Sequence, residues 1–327
     1  MEYRRLGRTG RDVSAIGFGA WAIGGSWGTV DDGQSLRALH AAADAGVTLI
    51  DTADVYGDGR SEQLIARFLG ERRGESFFVA TKMGRAVPQD VANYTPEAFR
   101  RWVDASRERL GMDRLDLVQL HCPPTALFYQ PETFAALDEL VADGSIAAYG
   151  VSVEKVEEAL KAIEFPGVAT VQLIFNIFRQ RPAERFLAEA ARRGVGILAR
   201  VPLASGLLTG KLTASTEFEP TDHRRFNRHG EEFDRGETFA GVDYDTGLAV
   251  VEELRSLVPE GATMAQMALR WILMRREVAT TIPGAKTPEQ ARSNAAAADL
   301  APLPAATMAR IEDLYEERIK PLVHQRW

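Results

Sequence analysis

Short apolar runs of β-rich composition alternate with longer stretches of helical periodicity along almost the whole chain. The strand-like runs fall at 14–18, 48–50, 77–81, 115–120, 147–151, 170–173, 196–199 and 279–282. Between them, apolar positions three and four apart predict helices such as 33–45, 96–110, 132–142, 156–163 and 183–193. Eight strands joined by helices predict an α/β protein, a closed (β/α)8 barrel rather than an open sheet, with right-handed crossovers.

Three segments stand outside this repeat. Residues 2–13 read as a short hairpin turning near Thr9-Gly10. Residues 211–243 form a long polar stretch, which in a compact domain is usually functional or disordered. The tail 317–327 is too apolar for a free end and is expected to pack. No linker or low-complexity segment interrupts the chain, so a single domain spanning 1–327 is expected.

Composition narrows the function. The net charge of −7 argues against a general nucleic-acid surface. No segment approaches the ~20 apolar residues of a membrane helix, and the start Met-Glu-Tyr-Arg-Arg-Leu lacks a leader's apolar stretch. One cysteine, Cys122, excludes an internal disulfide. A cytoplasmic protein acting on a small molecule is expected, with no nucleic-acid or membrane partner.

Three strands end in polar residues of complementary chemistry. Asp51 and Tyr56 lie in Leu-Ile-Asp-Thr-Ala-Asp-Val-Tyr-Gly (49–57), Lys82 closes Phe-Phe-Val-Ala-Thr-Lys (77–82), and His121 follows Leu-Asp-Leu-Val-Gln-Leu (115–120). Barrel enzymes carry their chemistry at that end of their strands. A phenol, with a pKa of about 10, is a poor acid at neutral pH unless a cation stabilises its phenolate. Lys82 supplies a cation, Asp51 keeps it charged, and His121 orients the oxygen that takes the proton. Singly, each has a plainer reading: a structural ion pair, a packed aromatic, a satisfied core histidine. At successive strand ends the four are expected to form one site.

This set resembles the Asp-Tyr-Lys-His tetrad of the aldo-keto reductase family, and the resemblance covers nearly the whole chain. It implies a TIM barrel with an N-terminal hairpin plugging its bottom and with extra helices. It implies reversible reduction of aldehydes, ketones or sugar-like carbonyls, with NADPH preferred and NADH possible. Tyr56 is then the general acid, Lys82 lowers its pKa, Asp51 holds Lys82, and His121 donates to the carbonyl oxygen.

The resemblance also implies a path for the cofactor. The first loop, with Ala20 and Trp21, lies along it, and Trp21 lines the substrate pocket as well; Asp51 borders both. Ser152 and Gln172 receive the carboxamide, while Val153 stands where the family usually has an asparagine. Ala-Arg-Val-Pro-Leu-Ala-Ser-Gly-Leu-Leu-Thr-Gly-Lys (199–211) is similar to the pyrophosphate loop. It puts Pro202, Leu203, Ser205, Gly206 and Lys211 near phosphate, and Arg200 where many relatives stack an aromatic on the nicotinamide.

In 281–294, Thr287 reads as an N-cap, Pro288 as the first helical residue and Gln290 as the partner in a capping box. Gly284, Lys286 and this helix start would hold the 2′-phosphate, and Asn294 the adenine. Gln290 stands where many relatives carry an arginine, which weakens the NADPH preference. Plainer readings make Ser152 a helix N-cap, 199–211 an ordinary turn and 287–294 a capped surface helix.

Pocket walls are expected from Trp21, Tyr56, the loop 122–129, the segment 211–243 and the C-terminal tail. Asp54 is expected to satisfy local backbone groups, and Cys122 to be a packed small residue. Gly17-Phe-Gly-Ala-Trp-Ala22 fits a dinucleotide fingerprint, but further glycines follow it where a helix is required. Two alternatives are a non-catalytic, cofactor-sensing regulatory subunit of the same fold, and a metal hydrolase using Asp51, Asp54 and His121. Against the second, the chain lacks clustered metal ligands.

Overall fold

The inner wall of the molecule is a ring of eight parallel strands. The computed structural model describes residues 1–25, 27–28 and 31–327. An antiparallel hairpin comes first, β1 (Tyr3–Arg5) and β2 (Asp12–Ser14). The parallel strands follow: β3 (Phe18–Gly19), β4 (Leu49–Asp51), β5 (Phe78–Met83), β6 (Leu117–His121), β7 (Tyr149–Ser152), β8 (Val168–Ile174), β9 (Gly196–Arg200) and β10 (Val278–Thr281). Each pairs with the next in chain order. The ring closes where Ile16 bridges Thr281 and Gly19 bridges Gly284, both in parallel.

Strand alternation sorts the side chains. In β5, Phe78 and Ala80 join an inner cluster with Leu49, Leu117 and Leu198, whereas Val79 and Met83 join the outer core beneath the helices. Continuing that period of two carries Asp51, Lys82, His121 and Arg200 inward at the carboxyl ends of β4, β5, β6 and β9. The other end of the barrel is stoppered. Leu6 and Val13 of the hairpin segment are fully buried in the inner cluster, and a Cβ at Gly7 would lie 2.0 Å from the amide nitrogen of Gly196. The expected plug is therefore present, and the open end is the one carrying the polar residues.

The helices begin where side chains can cap them. Pro96–Leu110 spans the expected residues; Thr95 accepts from the Ala98 amide, and Gly111 ends the helix in a left-handed conformation. Further helices, Arg60–Glu71, Tyr244–Leu254, Met264–Leu273 and Ala305–Leu314, complete the shell. The first barrel strand is shorter than the run 14–18, because Ser14 pairs with Tyr3 in the hairpin.

The segment 211–243 is ordered by aromatic packing and short turns, with a helical turn at His223–Phe226. The tail folds back on it. Trp327 is 6% exposed, donates to Asp234 Oδ1 at 2.9 Å and lies 4.1 Å from the Arg179 guanidinium. Among the described residues, no helix is long and apolar enough to cross a membrane.

Candidate active site

The strand ends bring Asp51, Lys82 and Tyr56 into one contact chain. Lys82 Nζ donates to Asp51 Oδ1 at 2.6 Å, to the Thr52 carbonyl at 2.8 Å and to the Tyr56 hydroxyl at 3.2 Å. Asp51 Oδ2 accepts from Gln172 Nε2 at 2.7 Å, so the carboxylate is held from both sides. Tyr56 comes from the loop after β4, and two glycines set its place. A Cβ at Gly57 would lie 2.2 Å from the Gly24 carbonyl oxygen, and one at Gly24 would lie 2.8 Å from Tyr56 Cβ. The Tyr56 and His121 rings meet edge to face with centroids 6.0 Å apart.

Electrostatics divide the roles. Burial opposes the Lys82 charge, yet Asp51 and Tyr56 outweigh it and raise its pKa. Burial also dominates at Tyr56 and raises the phenol's pKa; Lys82 pulls it down without winning. The expectation of a phenol more acidic than usual is thus corrected: Lys82 offsets part of the burial cost, and the phenol holds its proton at neutral pH. Burial, with Arg85 and Lys82 nearby, pushes His121 well below the usual imidazole range. It is a neutral ring, and its buried Nδ1 has no hydrogen-bond partner among the described residues.

Tyr56 and His121 line a cavity of about 550 Å³ that runs along the carboxyl ends of the strands. Trp21, Asp51, Gln172, Arg200, Pro202, Leu203, Ser205, Gly206, Lys211, Gly284, Lys286, Gln290 and Asn294 line it too, which gathers residues expected from six separate stretches of sequence. Two expected contacts lie outside this wall. Ala20 is fully buried, with its amide bonded to the Asp51 carbonyl at 2.8 Å. Ser152 is also fully buried, its hydroxyl 3.6 Å from Cys122 Sγ and caps no helix.

Several lining residues are engaged differently from expectation. The Ser205 hydroxyl donates to the Glu237 carbonyl and accepts from the Phe239 amide, both at 3.0 Å. Its one proton ties down the long segment and is not free for phosphate. Gln172 spends its NH2 on Asp51, which leaves its oxygen as the group for a carboxamide. Gln290 Oε1 accepts from the Lys286 amide at 2.7 Å instead of reaching Thr287, so no capping box forms; Thr287 remains the N-cap. Arg200 Nη2 is pinned to Glu154 Oε2 at 2.8 Å and the Val153 carbonyl at 3.1 Å.

Pocket walls also differ. The segment 211–243 lines the cavity as expected, through Lys211, Leu212, Arg224 and Glu237, whereas the loop 122–129 and the tail 317–327 contribute nothing to the lining. Sequence reasoning did not name Trp27, Arg224 or Glu237, which line the cavity, or Arg85, which holds Glu237. Their partners lie far along the chain, so no local motif marks them. Asn176 ties the loop after β8 to the Val201 carbonyl at 2.8 Å.

Asp54 does serve local backbone, accepting from the Val55 amide at 2.8 Å. Burial, with Glu62 nearby, pushes its pKa up to about 6. A folded pKa above the unfolded value means its stabilising contribution is full below about pH 4 and lost as pH rises through about 6. Asp54→Asn is therefore expected to stabilise the protein at pH 7.5 by on the order of 2 kcal/mol, with little gain at pH 4. Urea titrations at both pH values check this; an equal effect at both contradicts it.

The cavity suits a dinucleotide in its donors. The turn after β9 holds Val201, Ala204, Ser205 and Gly206 at positive φ, an irregular path closed by amide bonds from Ala204, Gly206 and Leu208 to the carbonyls of Val201 and Leu203. Lys211 and Lys286 add positive charge along the same wall, and Arg224 lies there paired with Asp222. Beyond it starts the helix Pro288–Ala296, whose dipole favours an anion, although Thr287 already caps the Gln290 amide. Buried at the other end, and without a hydrogen-bond partner among the described residues, are His121 Nδ1 and Arg200 Nε.

Comparison with known proteins agrees with this geometry. An aldo-keto reductase of Bacillus subtilis (strain 168), YhdN, is 32% identical over 296 residues, 89% of this chain and 86% of its own. The NADH-specific methylglyoxal reductase of Escherichia coli (strain K12) is 29% identical, covering 90% of this chain and 93% of its own. The solved glycerol dehydrogenase of Gluconobacter oxydans superposes with a TM-score of 0.79 at 31% identity, over 97% of this chain and 96% of that one. The profile of the aldo/keto reductase family matches residues 15–316, and the chain belongs to that family.

Proposed function

We propose that this oxidoreductase reduces a small aldehyde or ketone with NADPH, reversibly, and that Tyr56 is its general acid. The reading rests above all on the Asp51–Lys82–Tyr56 contact chain at the cavity wall beside His121. When bound, a reduced nicotinamide supplies the hydride. The chain's own residues supply the rest. The Tyr56 hydroxyl, protonated at neutral pH, hands its proton to the oxygen of the carbonyl as that oxygen gains charge. Lys82, at 3.2 Å, stabilises the phenolate left behind. Asp51 fixes the ammonium, and neutral His121 orients the carbonyl oxygen. In the oxidative direction the phenolate takes the proton back.

Arg200, Pro202, Leu203, Gly206 and Lys211 would hold the middle of the cofactor, and Gly284, Lys286, Gln290 and Asn294 its adenosine end. NADPH is favoured over NADH by Lys286, a cation on the wall that leads to the helix start. One similar enzyme is named NADH-specific, so the preference needs its own test. Lys286→Ala is expected to weaken NADPH binding about tenfold and NADH binding much less, as loss of one charge-assisted phosphate contact requires. Fluorescence titrations with both cofactors decide it; equal losses would contradict the assignment. Activity is checked by following NADPH absorbance across aldehydes, ketones and sugars. Bound cofactor without turnover of any carbonyl would overturn the reading.

A further inference from the structure

One charged group at the reacting end of the cavity has no task in this mechanism. Glu237 is 5% exposed and lines the cavity that Tyr56 and His121 line. It comes from the long segment after β9, and its position is fixed several times over. Its amide donates to the Asp234 carbonyl at 3.1 Å and its carbonyl accepts the Ser205 hydroxyl. Its Oε1 accepts from Arg85 Nη1 at 2.8 Å and lies 3.5 Å from Arg200 Nη1. Arg200 in turn lies 3.6 Å from the sulfur of Cys122, the residue after His121.

The charge in this cluster sits on Glu237. Burial opposes that charge, and Arg85 and Arg200 overcome it, holding the carboxyl well below the usual range. Burial instead raises the pKa of its neighbour Glu154, whose carboxyl hydrogen-bonds Glu237 and pairs with Arg200. Cys122, Glu154 and Glu237 bring ligand atoms within 4.8 Å of one another. Two guanidinium groups already compensate these carboxyls, so a cation is not what the cluster lacks. A carboxylate accepts about four hydrogen bonds, and the two arginines both meet Oε1. The Glu154 carboxyl hydrogen-bonds the same carboxylate, which leaves one acceptor position on a side chain that lines the cavity.

The neighbouring walls are aromatic. Trp21 stacks on Tyr56 with ring centroids 6.2 Å apart and meets Trp27 edge-on at 5.4 Å. A carbonyl held at Tyr56 and His121 therefore has rings, the Asp51 carboxylate already matched by Lys82, and the Glu237 carboxylate for company. An anionic substituent there meets repulsion, a methyl group leaves the carboxylate unanswered, and a hydroxyl donates to it.

We propose that Glu237 is a specificity-determining residue that accepts a hydrogen bond from a hydroxyl on the carbon beside the carbonyl, so that short, uncharged hydroxycarbonyls are the preferred substrates. This rests on the reductase reading above. The test compares kcat/KM with NADPH for glycolaldehyde and propanal, which differ by a hydroxyl in place of a methyl, in wild type and E237Q. Glyoxylate serves as the anionic comparison.

Wild type is expected to favour glycolaldehyde at least tenfold over propanal and to use glyoxylate poorly. E237Q is expected to shrink the glycolaldehyde-to-propanal ratio about tenfold, the size of one charge-assisted hydrogen bond. Taking the ratio between enzymes cancels the hydration of glycolaldehyde. An unchanged ratio in a folded, NADPH-binding E237Q overturns the proposal. If E237Q does not fold, the wild-type pair decides alone, with kcat/KM expressed per free aldehyde, and propanal matching or exceeding glycolaldehyde overturns it. Failure to reduce any of the three, or any other carbonyl, would instead count against the reductase reading.

Discussion

Tyr56→Phe is expected to lower kcat for carbonyl reduction by about 10²–10⁴-fold, the usual worth of a positioned general acid, while NADPH affinity changes far less. The variant removes one oxygen and keeps the ring that stacks on Trp21, so the cavity keeps its shape. The phenol's raised pKa adds a second expectation. The group that must be protonated for reduction stays protonated, and His121 stays neutral, across the physiological range. Reductive kcat should therefore be level between about pH 6 and 9, with no alkaline loss traceable to a tyrosine of pKa about 7 to 8. Steady-state pH profiles of wild type measure this directly. An alkaline limb in that window that is absent from the residual rate of Tyr56→Phe would restore the picture of a strongly acidified phenol.

Lys82→Met has the largest expected effect on stability. Lys82 is fully buried, and removing it strands the buried Asp51 carboxylate and leaves the Thr52 carbonyl and Tyr56 hydroxyl without their donor. Breaking a buried pair from one side costs about 3–5 kcal/mol. The double variant Asp51→Asn/Lys82→Met should recover a good part of that loss, because no buried charge remains unpaired. Neither variant should recover turnover, since the phenolate left after proton transfer lacks its cation. Denaturant titrations and initial rates separate the two effects. A double variant as unstable as the sum of the singles would show that the pair is not coupled. The Lys82 contribution also has a pH sign. Its folded pKa is raised, so the stabilisation is present below about pH 10.4 and is lost only as the solution becomes strongly alkaline.

The barrel and the Asp51–Lys82 pair were legible because both follow from a period of two, whereas Tyr56 sits on the loop after β4. Once 77–82 reads as a strand with Phe78 and Ala80 inward, Lys82 must also point inward at its end. The same holds for Leu49 and Asp51. The turn 199–211 and the cap at Thr287 were legible because Pro, Gly and hydroxyl residues act on neighbouring backbone. What escaped is long-range pairing. Arg85 and Glu237 are 152 positions apart, and nothing local to either predicts that they meet. Competition for a single proton or amide was also invisible. Ser205 could serve a phosphate or the Glu237 carbonyl, and only the fold decides between them. The balance at Tyr56 failed for a related reason: a sequence shows which cation can approach, but not how completely water is removed.

The most direct test of the account is isotopic. Wild type and Tyr56→Phe would each be given NADPH deuterated at the transferring carbon together with an accepted carbonyl, and the alcohol examined by mass spectrometry. The account predicts one deuterium on the carbinol carbon in wild type and almost no alcohol from the variant. Deuterium appearing equally fast with Tyr56→Phe, or wild type forming no labelled alcohol from any carbonyl while binding the cofactor, would contradict it.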